Sequence, residues 1–238
     1  MDTVEIIALS MGAAWASGIN LYAAIFVLGY LGGQGQIDLP PDLQILQNPL
    51  VIIAAGLMYI VEFFADKIPG VDTAWDSIHT FIRIPAGAML AAGAVGDTNQ
   101  AIQLTALILG GGLAAGTHLT KSGSRVLINT SPEPVTNWTT SIAEDLAVFG
   151  GLWTALNHPW IFLGLLILFI AVVIWLLPKL WRGIKRVICF IGSLFGLCDR
   201  TKSTPAATPD SPTSTAAPPP PVTPDKNTAA EATAESTK

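Results

Sequence analysis

The sequence predicts an all-α protein embedded in a membrane, and three observations support that fold class. Hydrophobic residues make up 51% of the 238 residues and charged residues only 12%, about half the charged share of a soluble domain. The mean hydropathy is +0.54. Apolar runs long enough to cross a hydrocarbon core of ~30 Å recur along residues 3–178.

Six segments qualify as spans. The first, 3–31, has no basic leader and is too long for a cleaved signal peptide, so it reads as a membrane helix. The second covers about 48–66 and the third about 74–96, with Pro85 inside it. The fourth covers about 100–120 and the fifth about 136–157. The sixth, 159–178, carries no charge, and at ~1.5 Å per residue its length matches the bilayer core. Beyond it KLWRGIKR is basic, and VICFIGSLFGLC (187–198) is apolar but too short to cross, which predicts an interfacial segment. From 199 onward Thr, Pro, Ala and Ser dominate. Such a segment buries too little apolar surface to offset its conformational entropy, which predicts a disordered tail over 199–238. The predicted organisation is therefore a transmembrane domain over 1–186, the interfacial segment and the tail.

Lys and Arg set the orientation. None of the twelve falls in the loop between segments 1 and 2, in the 3–4 loop or at the 5–6 junction. Lys67 and Arg83 flank the 2–3 loop, Lys121 and Arg125 lie in the 4–5 loop, and the rest follow segment 6. That alternation predicts six spans with both termini in the cytoplasm. The net charge of −5 and the lack of a basic stripe with interleaved aromatics exclude nucleic acid as an expected partner. Cys189 and Cys198 have no zinc-type spacing and read as reduced apolar fillers.

The chain also reads as a repeat. TVEIIALSMGAAWASGINLY (3–22) aligns without gaps on AIQLTALILGGGLAAGTHLT (101–120), pairing Gly12 with Gly110, Ala16 with Ala114 and Gly18 with Gly116. IVEFFA (60–65) aligns on IAEDLA (142–147), pairing Glu62 with Glu144. Two halves of three spans each, about 3–97 and 100–178, are inverted relative to one another, as in many transporters, whose sites lie near the midplane at broken helices. The aligned Gly and Ala of both halves read first as sites of close helix packing; the sharper alternative is a broken or re-entrant helix at SGIN and AGTH, with Asn20 and His118 in equivalent positions. Gly112 and Gly116 form a GxxxG that predicts close helix packing.

Charge inside such a membrane domain is costly and marks a pathway or a partner. Glu144 and Asp145 lie about nine residues into segment 5, and Glu62 lies one turn inside segment 2. Asp72, Asp76, His79 and Arg83 fall within about 60° of one another at ~100° per residue, so they form one polar stripe. His79 suits proton exchange, Arg83 suits an anion clamp or a counter-ion for Glu62 or Glu144, and Arg125 is a further partner. Asp66, Asp72 and Asp76 could hold a divalent metal through oxygen ligands. In LINTSPEP (127–134), Asn129, Thr130 and Ser131 could cap a helix or hold a phosphate.

The strings ASGINLYAA, EFFADKIPGVD, INTSPEP and SIAEDLAVFGGLWTALNHP resemble a bacterial multi-pass membrane family catalogued only as a domain of unknown function. The resemblance spans roughly residues 5–170. It implies one intact membrane domain in a bacterial inner membrane and transfers no functional residue. Three functions compete. The first is a small transporter or channel using Glu62, Glu144, Asp145, Asn20, His118, His79, Arg83 and Arg125 as a solute or ion pathway. The second is a metal-dependent membrane enzyme acting on a lipid or phosphate headgroup, though the DxxDG element of lipid phosphotransferases is missing. The third is a scaffold whose tail recruits a protein. The expected partners are the lipid bilayer, an unknown small solute, ion or lipid, a second copy of the chain and a protein bound to the tail. No cofactor is implied.

Overall fold

Helix α1 (Thr3–Gly33) is the axis of the fold. Asp2 opens it with a capping box. Its carboxylate accepts from the Glu5 backbone N–H, and the Glu5 carboxylate accepts from the Asp2 N–H, each at 2.8 Å. Small residues, among them Ala8, Gly12, Ala13, Ala16, Ser17 and Gly18, are buried along it. They let other backbones come close, and every other α-helix packs on α1. The computed structural model describes residues 2–68, 70–129 and 134–194, all within the compact unit Met1–Asp199. The helices that follow are α2 (Pro49–Ala65), α3 (Val71–Val95), α4 (Gln100–Ile128), α5 (Pro134–Asn157) and α6 (Pro159–Leu194). A 3-10 helix, Pro41–Gln47, lies between α1 and α2, and there is no strand among the described residues.

Four of these helices, α1, α3, α4 and α6, are long and apolar enough to cross a membrane, and the 3-10 helix with α2, bent by 68°, makes a fifth candidate. Helix α5 does not reach that threshold, because Thr136, Asn137, Thr139, Thr140, Glu144 and Asp145 dilute its apolar residues. The loop between α1 and α2 is structured by the 3-10 helix. Leu39, Leu43 and Leu46 turn inward and join Leu21, Leu28 and Leu90 in one apolar cluster, so the loop lines the core.

Helix α3 is stitched to α1 by two hydroxyls. Ser17 Oγ donates to the Arg83 carbonyl at 3.0 Å, and Ser10 Oγ donates to the Ala91 carbonyl at 2.8 Å. These bonds bracket Pro85, which interrupts the helical ladder of α3 by lacking an N–H. The most extensive helix crossing is between α3 and α4. A Cβ on Gly87 would meet the Ala114 methyl, and one on Gly110 would meet the Ala91 methyl and come within 3.2 Å of the Gly87 carbonyl. Gly112 and Gly116, where the GxxxG predicted this packing, face open space instead. They border an apolar groove of about 480 Å³ between α1, α4 and α6, lined in part by Met11, Leu113, Phe169 and Val173.

Two further expectations change. Helix α6 does not stop at Pro178 but runs on to Leu194, so the basic stretch and the start of the expected interfacial segment are one continuous helix. Cys189 is disulfide-bonded, not a reduced filler. The predicted disordered tail over 199–238, Cys198, Thr130 and Ser131 lie outside the described residues.

Candidate functional site: a buried ion cluster

Helix α2 ends at Ala65 with Asp66 as its C-cap, and the chain turns back within five residues to start α3 at Val71. The turn depends on Gly70, whose φ of +88° lies in the left-handed region that a side chain disfavours. Asp72 secures it by accepting from the Gly70 N–H at 2.9 Å and the Thr73 N–H at 2.6 Å. Asn129, at the end of α4, donates through Nδ2 to both Asp72 carboxylate oxygens, at 2.8 and 3.0 Å. The two hairpins are thereby tied together, and Asn129 serves as a helix C-cap and an Asp72 partner.

The polar stripe of α3 faces inward, with Asp72, Asp76, His79 and Arg83 all buried. Arg83 is the first centre. It donates to Glu62 of α2 through Nη2, in a short bond, and to Asp76 Oδ1 through Nη1 at 3.0 Å. Arg125 is the second. It donates to Glu144 Oε2 at 2.5 Å, to Asn137 Oδ1 at 2.6 Å and to the Asp66 carbonyl at 2.9 Å. Lys121 lies between them. Its Nζ is 2.7 Å from Asp66 Oδ2, 3.6 Å from both Glu62 Oε1 and Glu144 Oε2, and 4.0 Å from Asp76 Oδ1. Arg83 and Arg125 are fully buried, and Lys121 nearly so. Ions at that depth are tolerated only when paired and hydrogen-bonded, which this geometry supplies.

Charge does not balance. Six carboxylates, Glu62, Asp66, Asp72, Asp76, Glu144 and Asp145, face the three cations Arg83, Lys121 and Arg125, with a fourth, Lys67, beside Asp66 and Asp145 but out of ion-pair reach. Five of the six form an ion pair, while Asp145 forms none among the described residues. Several carboxylate oxygens, Glu62 Oε2, Asp66 Oδ1, Asp76 Oδ2 and Asp145 Oδ2, are buried without a hydrogen-bond partner among the described residues.

Asn20 fulfils the expectation of a broken helix in the first half. Its φ of −148° and ψ of 97° leave the helical region inside α1. Its side chain caps the restarted helix by accepting from the Ala23 N–H at 2.9 Å, and its Nδ2 donates to Asp145 Oδ1 at 3.3 Å. The Ile19 carbonyl, at the end of the first half-helix, accepts from Lys121 Nζ at 3.1 Å. The partial negative end of one half-helix thus meets a cation, and the partial positive start of the other lies by a carboxylate. The equivalent stretch of α4 is not broken, and His118 sits in continuous helix.

Hydrogen-bond chemistry fixes the proton of His118 and the Nδ1 proton of His79. Arg83 has only donors, so His118 Nδ1, 3.2 Å from Arg83 Nη1, must be an acceptor, and Nε2 carries the proton toward Thr80 Oγ1 at 2.7 Å. His118 is therefore neutral in this arrangement. His79 makes no ion pair among the described residues. Its Nδ1–H donates to the Trp75 carbonyl at 2.9 Å, its Nε2 is hydrogen-bonded to the Tyr22 hydroxyl at 3.1 Å, and its ring stacks on Trp75.

The site thus brings together Glu62, Asp66, Asp76, Arg83, Arg125, Glu144 and His118, with Asn20 and Asp145 alongside and His79 at the edge. Asp66, Asp72 and Asp76 do not converge as a metal group. Among the described residues no set of three His, Cys, Asp or Glu side chains could hold a metal ion. Each of the three is aimed at a cation or an amide instead. Sequence reasoning missed Lys121, Asn137, Thr80 and Tyr22. Lys121 lay just beyond the expected end of segment 4, although residues 118, 121 and 125 share one face of a helix that simply continues.

The fold and site define a helical protein of the membrane-spanning type with an ion cluster buried between its helix hairpins. The profile of a family described as "Domain of unknown function (DUF4126)" matches residues 7–179, and the chain belongs to that family. No curated protein and no solved structure matches it.

Proposed function

We propose that this protein is a small transporter or channel of the bacterial inner membrane that moves an ion or small solute by way of its intramembrane carboxylates. In this reading six segments span the membrane as two inverted halves of three, both termini are cytoplasmic, and α5 is the polar sixth span. The observation that supports it best is the shared ammonium. Lys121 Nζ is 3.6 Å from Glu62 in one half and 3.6 Å from Glu144 in the other. A cation held between carboxylates of two halves can side with either as the halves rock, which is the two-state element an alternating-access device needs. The break at Asn20 gives α1 a hinge at the same level.

The test is reconstitution into liposomes loaded with a pH-sensitive dye, with a potassium gradient and valinomycin imposing a membrane potential. The wild-type protein is expected to carry protons faster than empty liposomes, and Glu144→Gln and Lys121→Met to fall to the empty-liposome rate. Glu144→Gln flux equal to wild type would remove the reading.

A further inference from the structure

We infer that Asp145, with Ser141 and the α1 break, is the position where this protein takes up a small monovalent cation, either an alkali ion or a proton. The inference rests on the transporter reading for the purpose of the site, not for its existence. Asp145 differs from the other five carboxylates of the cluster in having no ion pair among the described residues. It is buried, and among the described residues its one hydrogen bond is the one Oδ1 accepts from the Asn20 amide, which leaves Oδ2 without a partner there. Ser141 lies one helical turn earlier on the same face of α5. It is 1% exposed, and its Oγ is also without a partner among the described residues.

Both free atoms are hard oxygens, and they stand on the helix whose Asp145 contacts the α1 break. Unwound helix ends of this kind are where transporters coordinate coupling cations. One carboxylate with neutral oxygens suits a single positive charge, whereas a divalent ion would call for more of the anionic ligands that here are already tied to Arg and Lys. The groups that face Asp145 are Asn20 on α1, Lys121 on α4, and Tyr59, Asp66 and Lys67 on and just after α2, with Glu144 beside it in the chain. Neither lysine reaches ion-pair distance, and Lys67 is turned onto the Phe63 ring and carbonyl.

The experiment is thermal unfolding of the full-length protein in detergent. One arm exchanges choline chloride for sodium, lithium or potassium chloride at constant ionic strength and pH. The other scans pH 5 to 8 in choline chloride. Wild type is expected to gain several degrees in melting temperature in one arm, and that arm identifies the cation as alkali ion or proton. Asp145→Asn is expected to lose the response while Glu144→Gln keeps it, and in the alkali arm Ser141→Ala is expected to need a several-fold higher concentration. Asp145→Asn keeps the shape and the Asn20 contact, and Ser141→Ala is the second variant should it fail to fold. A flat wild type in both arms, an Asp145→Asn protein that responds as wild type, or a response lost in Glu144→Gln alone would overturn the inference. A flat thermal response with intact flux sinks this inference and spares the transporter reading. A cation response without flux does the reverse.

Discussion

Glu62 and Glu144 share one ammonium, each placing a carboxylate oxygen 3.6 Å from Lys121 Nζ. Each also has its own arginine, Arg83 for Glu62 and Arg125 for Glu144. The lysine is therefore the link between two ion pairs that would otherwise be separate. Replacing it with Met removes the link and leaves both arginine pairs in place. Lys121→Met is expected to fold, to lose the reconstituted proton flux, and to lose stability through Asp66, whose oxygen lies 2.7 Å from the ammonium. Removing one member of a buried pair typically costs ~3–5 kcal/mol, softened here because Arg125 still stands 3.6 Å from Asp66. Thermal unfolding beside the flux assay checks both parts.

Arg83 gives a harsher result. It is fully buried and satisfies Glu62 and Asp76 together. Arg83→Met removes the hydrogen-bonded partner of two buried carboxylates and leaves them only the Lys121 ammonium, 3.6 and 4.0 Å away, so the expected loss is at the upper end of the ~3–5 kcal/mol range for breaking a buried ion pair. Adding Glu62→Gln should recover part of that loss, because the amide no longer buries a charge. A double-mutant cycle on melting temperatures reads the coupling. Additive losses would mean that the two side chains do not act as a pair.

Asn20 is expected to be worth more than a helix interior residue. Asn20→Ala removes the cap on the Ala23 N–H and the amide on Asp145. Loss of the cap alone costs ~0.5–2 kcal/mol, and loss of the only hydrogen bond that the Asp145 carboxylate accepts among the described residues adds to it. Asn20→Asp tests the division. It keeps the cap but sets a second carboxylate against Asp145, so it should match or exceed the alanine loss at neutral pH and recover toward acid pH as one of the pair takes a proton. Melting temperatures of the two variants from pH 5 to 8 decide it.

Much of this site could be read from residue order, and the reasons for the misses are physical. The 100° spacing put Asp72, Asp76, His79 and Arg83 on one face, and all four are buried on it. Aligning SGIN with AGTH raised a break there as the alternative to close packing, and the structure has it at Asn20, whose short amide side chain caps the restarting helix. The same alignment failed at His118, whose imidazole is satisfied by Thr80 and Arg83 across the helix interface and has no backbone to cap. Lys121 was assigned to a loop because cationic residues mark loop ends in membrane chains. That rule has no term for a lysine neutralised by carboxylates brought in from α2, α3 and α5. The GxxxG at Gly112 and Gly116 misled in a similar way. A small-residue motif shows where a backbone could approach but not which glycine faces the partner.

The two kinds of glycine in α4 give the cleanest test of the packing. A Cβ on Gly110 would run into Ala91 and the Gly87 carbonyl, both part of the α3 surface that positions Arg83. Gly110→Ala therefore has to separate α3 from α4, and overpacking of this kind costs ~1–3 kcal/mol. Gly112 has nothing within 4 Å of where its Cβ would lie. Gly112→Ala should be neutral or stabilising by up to ~1 kcal/mol, since alanine loses less conformational freedom in a helix than glycine does. The pair differs by one methyl group two residues apart on the same helix, so detergent, expression and helix propensity cancel in the comparison. Melting temperatures should fall for Gly110→Ala and hold or rise for Gly112→Ala. The flux of Gly110→Ala should fall with its stability, because Arg83, Asp76 and Thr80 reach His118 and Lys121 only while α3 and α4 stay at this distance. Equal behaviour of the two variants would mean that the α3–α4 crossing is not where the cluster gets its geometry.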